Sequence, residues 1–367
     1  MRVSSPAKIF FLAAAILLVD RVFKGRVSAG FEWEPYITYP SETNSKEFTV
    51  LWKADKGDTC EICWDISPAD NKDPGCSNSR DQCQSVGSSS FLGPLGRDSS
   101  DSTGDHHVYT ISNLPNHDTT YRFSVECGST CMGDGSFTTP PEPNDPTRIL
   151  VYGDSRSGPS EHDEIAETMF RVSADYTNLA LHLGDFVRNG ECMSSWDDDP
   201  MSSSYPNIRK LMQNVPLQVC RGNHENNGGC LSYPGDAFSD YDSLMDEVFP
   251  EYPYKALYSD IYTGDRTGWK PYGEARLYYS FNYGNIHVSV LDLYDYEGDE
   301  DTNSVTRNSD QYNWLSDDLD SAGNRWKIVT IHRPIYSANP NRADLDDDLQ
   351  SLFEQKDVRM LLAGMYI

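Results

Sequence analysis

The chain has 367 residues, and its 57 Asp and Glu outnumber its 30 Lys and Arg, which gives a formal net charge of -27. Such an excess of negative charge repels nucleic acids and anionic membrane surfaces, and this argues against both as partners. The length is sufficient for two domains with their own cores.

The first 29 residues have the layout of a signal peptide. Arg2 and Lys8 form a short basic region, residues 9–19 are apolar, and small residues precede an expected cleavage site before Gly30. A membrane anchor is the alternative, but the apolar run is much shorter than the roughly 20 residues that span a bilayer. We therefore expect a secreted or luminal protein without a stable membrane anchor.

The region 31–139 contains short β-type runs separated by turn residues. Examples are 47–53, 107–111 and 120–126, and the Ser-, Gly- and Asp-rich tract 77–105 is expected to be mostly loop. Short strands at this spacing are typical of a small antiparallel sandwich.

Six cysteines lie in this region, at Cys60, Cys63, Cys76, Cys83, Cys127 and Cys131. A zinc site is one interpretation of the first four, but the second pair has the wrong spacing. In an oxidising compartment three disulfides are the better explanation, with the connectivity left open. Among the later cysteines, we expect Cys192 to pair with Cys230 and Cys220 to be a buried thiol in an apolar strand.

A Pro-rich segment at 140–146 is expected to link this sandwich to a second domain. Beyond it, apolar strands alternate with helical stretches, which is typical of an α/β core. The predicted strands are 148–152, 179–183, 217–220, 286–291, 327–331 and 358–362, and helices are predicted at 160–172 and 311–319. Residues 278–291 have the pattern of a hairpin that turns at Gly284 and Asn285.

Four of these strands run into polar motifs that suit a metal site. The motifs are Gly153-Asp154-Ser155-Arg156, Gly184-Asp185-Phe186, Gly222-Asn223-His224-Glu225 and His332-Arg333-Pro334. Loops at the carboxyl ends of strands in an α/β sheet converge on one crevice, so carboxylate, amide and imidazole groups would meet there. This mixed oxygen and nitrogen set suits iron, zinc or manganese. Each motif alone has an ordinary alternative, such as a turn or a helix N-cap, whereas their joint occurrence favours a metal site.

The order G-D, G-D, G-N-H-E and H resembles the calcineurin-like metallophosphoesterase superfamily, and G-N-H-E is its most specific motif. The preceding sandwich resembles the fibronectin-type-III-like N-terminal domain of purple acid phosphatases. The resemblance implies an all-β sandwich at 31–139, a linker at 140–146 and a metallophosphoesterase domain at 147–367. That second domain would be α/β, with a β-sandwich core flanked by helices.

The resemblance also implies a binuclear metal site that hydrolyses phosphate esters. Asp154 would bind the first ion, and Asp185 would bridge the two. Asn223 and His332 would bind the second ion. His224 would face the substrate, where it would stabilise the transition state or protonate the leaving group. A metal-bound hydroxide would attack phosphorus, and the substrate would be a small phosphate ester or a phosphoprotein.

Three further residues lie close to these ligands in the sequence. Glu225 is expected to support the ligands from outside, or else to be the first turn of a helix. Arg156 stands where many relatives have a histidine ligand and purple acid phosphatases have glycine. It either clamps a substrate phosphate or pairs with a neighbouring acid. Arg188 replaces the tyrosinate ligand of purple acid phosphatases, so a metal-loaded form should not be purple.

The segment 363–367 departs most from the family pattern. The family's last motif, G-H-x-H, supplies one histidine to each metal ion, and here Met365 and Ile367 stand at those positions. We therefore expect a C-terminally incomplete domain with an impaired first metal site. The leading hypothesis is an acid-phosphatase-like hydrolase. The alternatives are a non-catalytic secreted binding protein on a degenerate scaffold and a one-metal phosphodiesterase.

Overall fold

The structure is a computed structural model that describes residues 33–39, 46–55, 57–66, 76, 82–87, 104–173, 179–188, 193–198, 200–225, 278–293, 305, 307–335 and 347–364. The predicted signal peptide at 1–29 lies outside these ranges, as do Cys192, Cys230, Met365 and Ile367. Within them, no helix is long and apolar enough to cross a membrane.

The N-terminal region forms two antiparallel sheets. Its strands are β1 (Trp33–Thr38), β2 (Phe48–Asp55), β3 (Cys60–Ile66), β4 (Gln82–Val86), β5 (Gly104–Ile111), β6 (Thr120–Cys127) and β7 (Thr130–Thr138). One sheet has the order β1-β2-β5 and the other has the order β4-β3-β6-β7. Every pairing in them is antiparallel, which confirms the predicted sandwich.

Strand β4 lies inside the tract 77–105 that was expected to be mostly loop, and β5 begins at the end of that tract. Four of the five β4 residues are exposed and three are polar side chains of Gln and Ser, so the strand carries no apolar alternation. It is held instead by its pairing with β3, in which Cys63 lies opposite Cys83.

Three disulfides cross-link the sandwich, as predicted from the six early cysteines. They are Cys60–Cys127, Cys63–Cys83 and Cys76–Cys131. The first two connect residues that face each other across paired strands. Cys220 is a buried free thiol, which confirms that prediction as well.

The described residues of the second region form the remaining strands and five α-helices. They are β8 (Ile149–Tyr152), α1 (Pro159–Ser173), β9 (Leu179–His182), α2 (Met193–Asp198), α3 (Pro206–Asn214), β10 (Leu217–Val219), β11 (Tyr279–Tyr283), β12 (Ile286–Val290), α4 (Asp310–Ser321), β13 (Trp326–Ile331), α5 (Asp347–Gln355) and β14 (Val358–Ala363). The predicted strands and helices are confirmed within one or two residues at their ends.

These strands form two sheets rather than one open sheet. One has the order β10-β9-β8 and is parallel. The other has the order β11-β12-β13-β14, with an antiparallel hairpin β11–β12 followed by parallel pairings. The hairpin turns at Gly284, whose φ of 58° is in the region that glycine tolerates best. Buried residues of both sheets belong to one core, so the sheets pack against each other.

The same core extends into the N-terminal sandwich. The Tyr39 backbone and the Gln218 side chain exchange two hydrogen bonds, of 3.0 and 2.7 Å. Glu34 of β1 accepts hydrogen bonds from Arg209 and Gln213 of α3. The two regions therefore pack closely, and the domain boundary at 140–146 stays a prediction from composition.

Candidate metal centre

The four polar motifs lie at the carboxyl ends of β8, β9, β10 and β13. Asp154 follows β8 and Asp185 follows β9, and both adopt left-handed backbone conformations, with φ of 54° and 58°. The Asp154 N–H donates to Gly184 O at 3.0 Å, and the Arg156 N–H donates to Asp185 O at 3.1 Å. These two bonds fix the first loop against the second, so both carboxylates point into the same space.

Two glycines allow the loops to approach closely. Gly184 has a φ of +92°, and a Cβ there would lie 2.7 Å from His332 Nδ1. A Cβ on Gly222 would lie 2.3 Å from the backbone nitrogen of Asp185. Any larger residue would push the ligand loops apart, so both glycines are required by the geometry of the site.

Three of the predicted ligands meet in one cluster. Asp154, Asp185 and His332 each place one ligand atom within 4.8 Å of the other two. Asp185 and His332 are fully buried. Asn223 joins them, because its Oδ1 lies 3.2 Å from His332 Nε2. The sequence prediction therefore named residues that the fold does bring together.

The hydrogen-bonding state of His332 shows why a cation fits here. Its Nδ1 donates to Leu183 O at 2.6 Å, because a carbonyl oxygen only accepts. In the neutral ring Nε2 then carries a lone pair. That lone pair faces Asp185 Oδ1 at 3.4 Å as well as Asn223 Oδ1. With the ring neutral, three electron-pair donors would converge, and such a set could hold a metal ion.

Asp185 has the densest set of contacts in the cluster. Its Oδ1 accepts from the His224 N–H at 2.9 Å, and its Oδ2 accepts from Arg156 Nε at 2.6 Å. The Arg156 side chain is therefore paired with a neighbouring acid, one of the two alternatives that the sequence left open. His224 itself donates from Nδ1 to Arg188 O at 2.7 Å, so its imidazole lies at the more exposed side of the cluster.

Glu225 supports the cluster from behind. Its buried carboxylate accepts four backbone N–H bonds, of 2.7 to 3.2 Å, from Asp185, Phe186, Val187 and Gly222. Burial raises the pKa of this carboxyl, and the charge of Asp185 raises it further, while the backbone hydrogen bonds lower it. Glu225 thus fixes the loops after β9 and β10 relative to each other.

Asp154 is the more accessible of the two carboxylates in the cluster. Burial is the largest cause of its raised pKa, and Asp185 also raises it. The pKa is lowered by His332 and His224 whenever their rings carry a proton, and by the permanent charge of Arg156. A carboxyl in this position gains from a nearby cation, which would favour its ionised form.

Sequence reasoning missed two contacts around the cluster. His182 Nε2 lies 3.0 Å from Ser155 Oγ, which links the end of β9 to the residue after Asp154. Arg221 pairs with Asp292 at 3.2 Å in a buried ion pair beside Gly222. Asp292 follows an apolar strand, as the predicted ligands do, and that pattern could have identified it. His182 lies inside the strand and gave no such signal.

Comparison with known proteins places these features in a family. Residues 147–364 match the profile of the calcineurin-like phosphoesterase family. Among Arabidopsis thaliana proteins, purple acid phosphatase 21 is 26% identical over 270 residues, covering 71% of this chain and 51% of the relative. Probable purple acid phosphatase 20 is 25% identical over 258 residues, covering 66% and 50%, and purple acid phosphatase 15 is 28% identical over 214 residues, covering 53% and 34%. The chain therefore spans about half or less of the length of these relatives.

A solved structure, "Structure of PhoD", superimposes with a TM-score of 0.60 at 12% identity. The match covers 92% of this chain and 72% of that one. At this identity the likeness is one of fold.

Proposed function

Because the chain belongs to the calcineurin-like phosphoesterase family, we propose that it is a metal-dependent hydrolase of phosphate esters, acid-phosphatase-like in its chemistry. The observation that carries the proposal is the convergence of Asp154, Asp185 and His332 within 4.8 Å, with Asn223 Oδ1 beside His332 Nε2. Iron, zinc or manganese suits this mixture of oxygen and nitrogen donors.

In this proposal Asp154, Asp185, Asn223 and His332 hold the metal. When bound, a metal ion supplies Lewis-acid activation of water and of the phosphoryl group. It also offsets the charge of an anionic ester in a protein whose net charge is -27.

In the proposed reaction His224 transfers a proton and Glu225 positions a ligand loop. His224 lies at the exposed side of the cluster, with its Nδ1 fixed on Arg188 O at 2.7 Å. Its other ring nitrogen is then the atom for protonating the leaving oxygen. Glu225 keeps the Asp185 loop in position through its four backbone hydrogen bonds.

The substrates we propose are small phosphate esters or phosphoproteins, and the compartment we propose is the secretory lumen or the extracellular space. Three disulfides in the sandwich support an oxidising compartment. A secreted binding protein without catalysis is the second candidate. It is favoured by the Arg156–Asp185 ion pair, because that pair covers an oxygen of the predicted bridging ligand.

The test is hydrolysis of p-nitrophenyl phosphate together with the metal content of the purified chain. We expect turnover with bound metal, and loss of both in Asp185→Ala. The matched control is Asp320→Ala, which removes an exposed carboxylate paired with Lys356 outside the cluster. A chain that holds metal without any turnover would favour the binding protein, and equal turnover in Asp185→Ala would refute the proposed site.

A further inference from the structure

The Arg156 guanidinium is part of the metal-binding cluster rather than a surface group. Its Nε donates to Asp185 Oδ2 at 2.6 Å, and its Nη1 donates to Ser157 Oγ at 2.9 Å. The Arg156 side chain is 30% exposed, whereas that of Asp185 is 1% exposed. A permanent positive charge therefore reaches a buried carboxylate from the rim of the site.

A backbone hydrogen bond also holds Arg156 next to Asp185. Arg156 lies in the short 3-10 helix Ser155–Ser157, two residues after Asp154. Its own N–H donates to Asp185 O at 3.1 Å, while its side chain binds the carboxylate of the same residue. Main chain and side chain of Arg156 thus both bind Asp185, which places the guanidinium directly beside this oxygen.

The two oxygens of Asp185 consequently face different partners. Oδ1 faces His332 Nε2 at 3.4 Å, next to Asn223 Oδ1, and this side offers lone pairs to a metal ion. Oδ2 faces the guanidinium. A divalent ion on Oδ2 would compete with the guanidinium for this oxygen, and the two positive charges would repel each other beside a buried carboxylate. Arginine does not lose its proton in proteins, so the repulsion cannot be relieved by titration.

We propose that Arg156 takes the place of one of the two metal ions, so that the cluster binds a single ion on the Oδ1 side of Asp185. The inference rests on the proposed function, because it concerns the same site. It assigns the ion to Asp185, Asn223 and His332, with Asp154, whose ligand atom lies within 4.8 Å of those of Asp185 and His332, as a further ligand of the same ion. The guanidinium supplies the positive charge that a second ion would bring.

The experiment counts Mn²⁺ ions bound by the full chain, using isothermal titration calorimetry and electron paramagnetic resonance. We expect one ion per chain, with the spectrum of an isolated Mn²⁺. Arg156→Lys keeps the charge and should also bind one ion. Arg156→His replaces the cation with a ligand, so it should bind two ions and give the spectrum of a spin-coupled pair.

The matched control is Arg171→Ala, which removes a positive charge from the exposed last turn of α1 and should leave one ion bound. Two ions bound by the unaltered chain would overturn the inference, and this readout does not depend on any variant folding. One ion in a folded Arg156→His protein would overturn it too. Turnover of p-nitrophenyl phosphate with two ions bound would refute the single-ion centre alone, whereas no bound ion and no turnover would refute the proposed function as well.

Discussion

The N-terminal sandwich and the metal-binding cluster are stabilised in opposite ways. The sandwich is cross-linked by three disulfides, and aromatic rings fill its interior, for example Phe48 stacked on Phe137 at 4.2 Å. The cluster contains two carboxylates in left-handed turns, Asp154 and Asp185, and the loop of Asp185 is held by backbone hydrogen bonds to the buried carboxylate of Glu225. The sandwich gains stability from covalent constraint and apolar burial, whereas the cluster brings together two carboxylates that a bound cation would stabilise. Changes in the first should therefore alter unfolding, and changes in the second should alter metal affinity.

The largest effect on stability is expected from the disulfide that closes the longest loop. Cys60 and Cys127 are 67 residues apart, so replacing both by Ala should lower the free energy of unfolding by about 4 kcal/mol. Cys63 and Cys83 are 20 residues apart, and the same replacement there should cost about 3 kcal/mol. Urea unfolding measures both. If the folded variants bind Mn²⁺ as tightly as the unaltered chain, the sandwich affects unfolding but not metal affinity, as expected. A large drop in Mn²⁺ affinity would contradict this separation of the two regions.

A slightly smaller effect on the free energy of unfolding is expected from His162, a buried histidine. Burial lowers the pKa of His162 to about 4, although the charge of Asp163 opposes this shift. The unfolded chain takes up a proton near pH 6.5 and the folded chain does so only near pH 4. The contribution of neutral His162 to the free energy of unfolding is therefore fully present above pH 6.5. It falls by about 3 kcal/mol as the pH drops from 6.5 to 4.

Replacing His162 by Phe should remove this part of the acid sensitivity, because Phe fits among the rings of Tyr152 and Phe186 and does not titrate. The measurement is urea unfolding at several pH values. His182, whose pKa burial also lowers, remains in the variant and keeps its own share of the dependence. An unchanged pH profile in His162→Phe would show that His162 is not held neutral by burial.

The smallest effect is expected from Glu225, whose carboxylate holds the loops of the cluster. In Glu225→Gln, one acceptor oxygen becomes an NH₂ group that faces two backbone N–H donors, so the loops after β9 and β10 must shift. Loss of such a supporting contact typically weakens metal affinity 10–100-fold. Calorimetric titration with Mn²⁺ measures it, with Glu164→Gln on the exposed face of α1 as the matched control. Equal affinity in both variants would mean that Glu225 only stabilises the fold.

Much of the fold was predictable because its strands are short apolar runs bounded by turn residues. The hairpin at Gly284 and the six strands predicted for the second region follow that rule. Strand β4 was not predictable, since its polar side chains are exposed and its place is set by pairing with β3 and by a disulfide to Cys83. The division of the second region into two sheets came only from the family resemblance, because periodicity identifies strands but not their neighbours.

The residues of the cluster could be predicted from the sequence, but the contacts between their side chains could not. Asp154, Asp185, Asn223 and His332 each follow an apolar strand in a recognisable order, so their convergence could be inferred. The partner of Arg156 could not, because an arginine two residues after a ligand can turn toward substrate or toward a neighbouring acid. Only the left-handed turns at the strand ends decide that it meets Asp185.

The most direct test of the central claim is anomalous diffraction from crystals of the full chain grown with Mn²⁺. We expect a peak within bonding distance of Asp185 Oδ1, Asn223 Oδ1 and His332 Nε2. A map with no peak among these atoms, or with its strongest peak elsewhere on the protein, would contradict the assignment of this cluster as the metal centre.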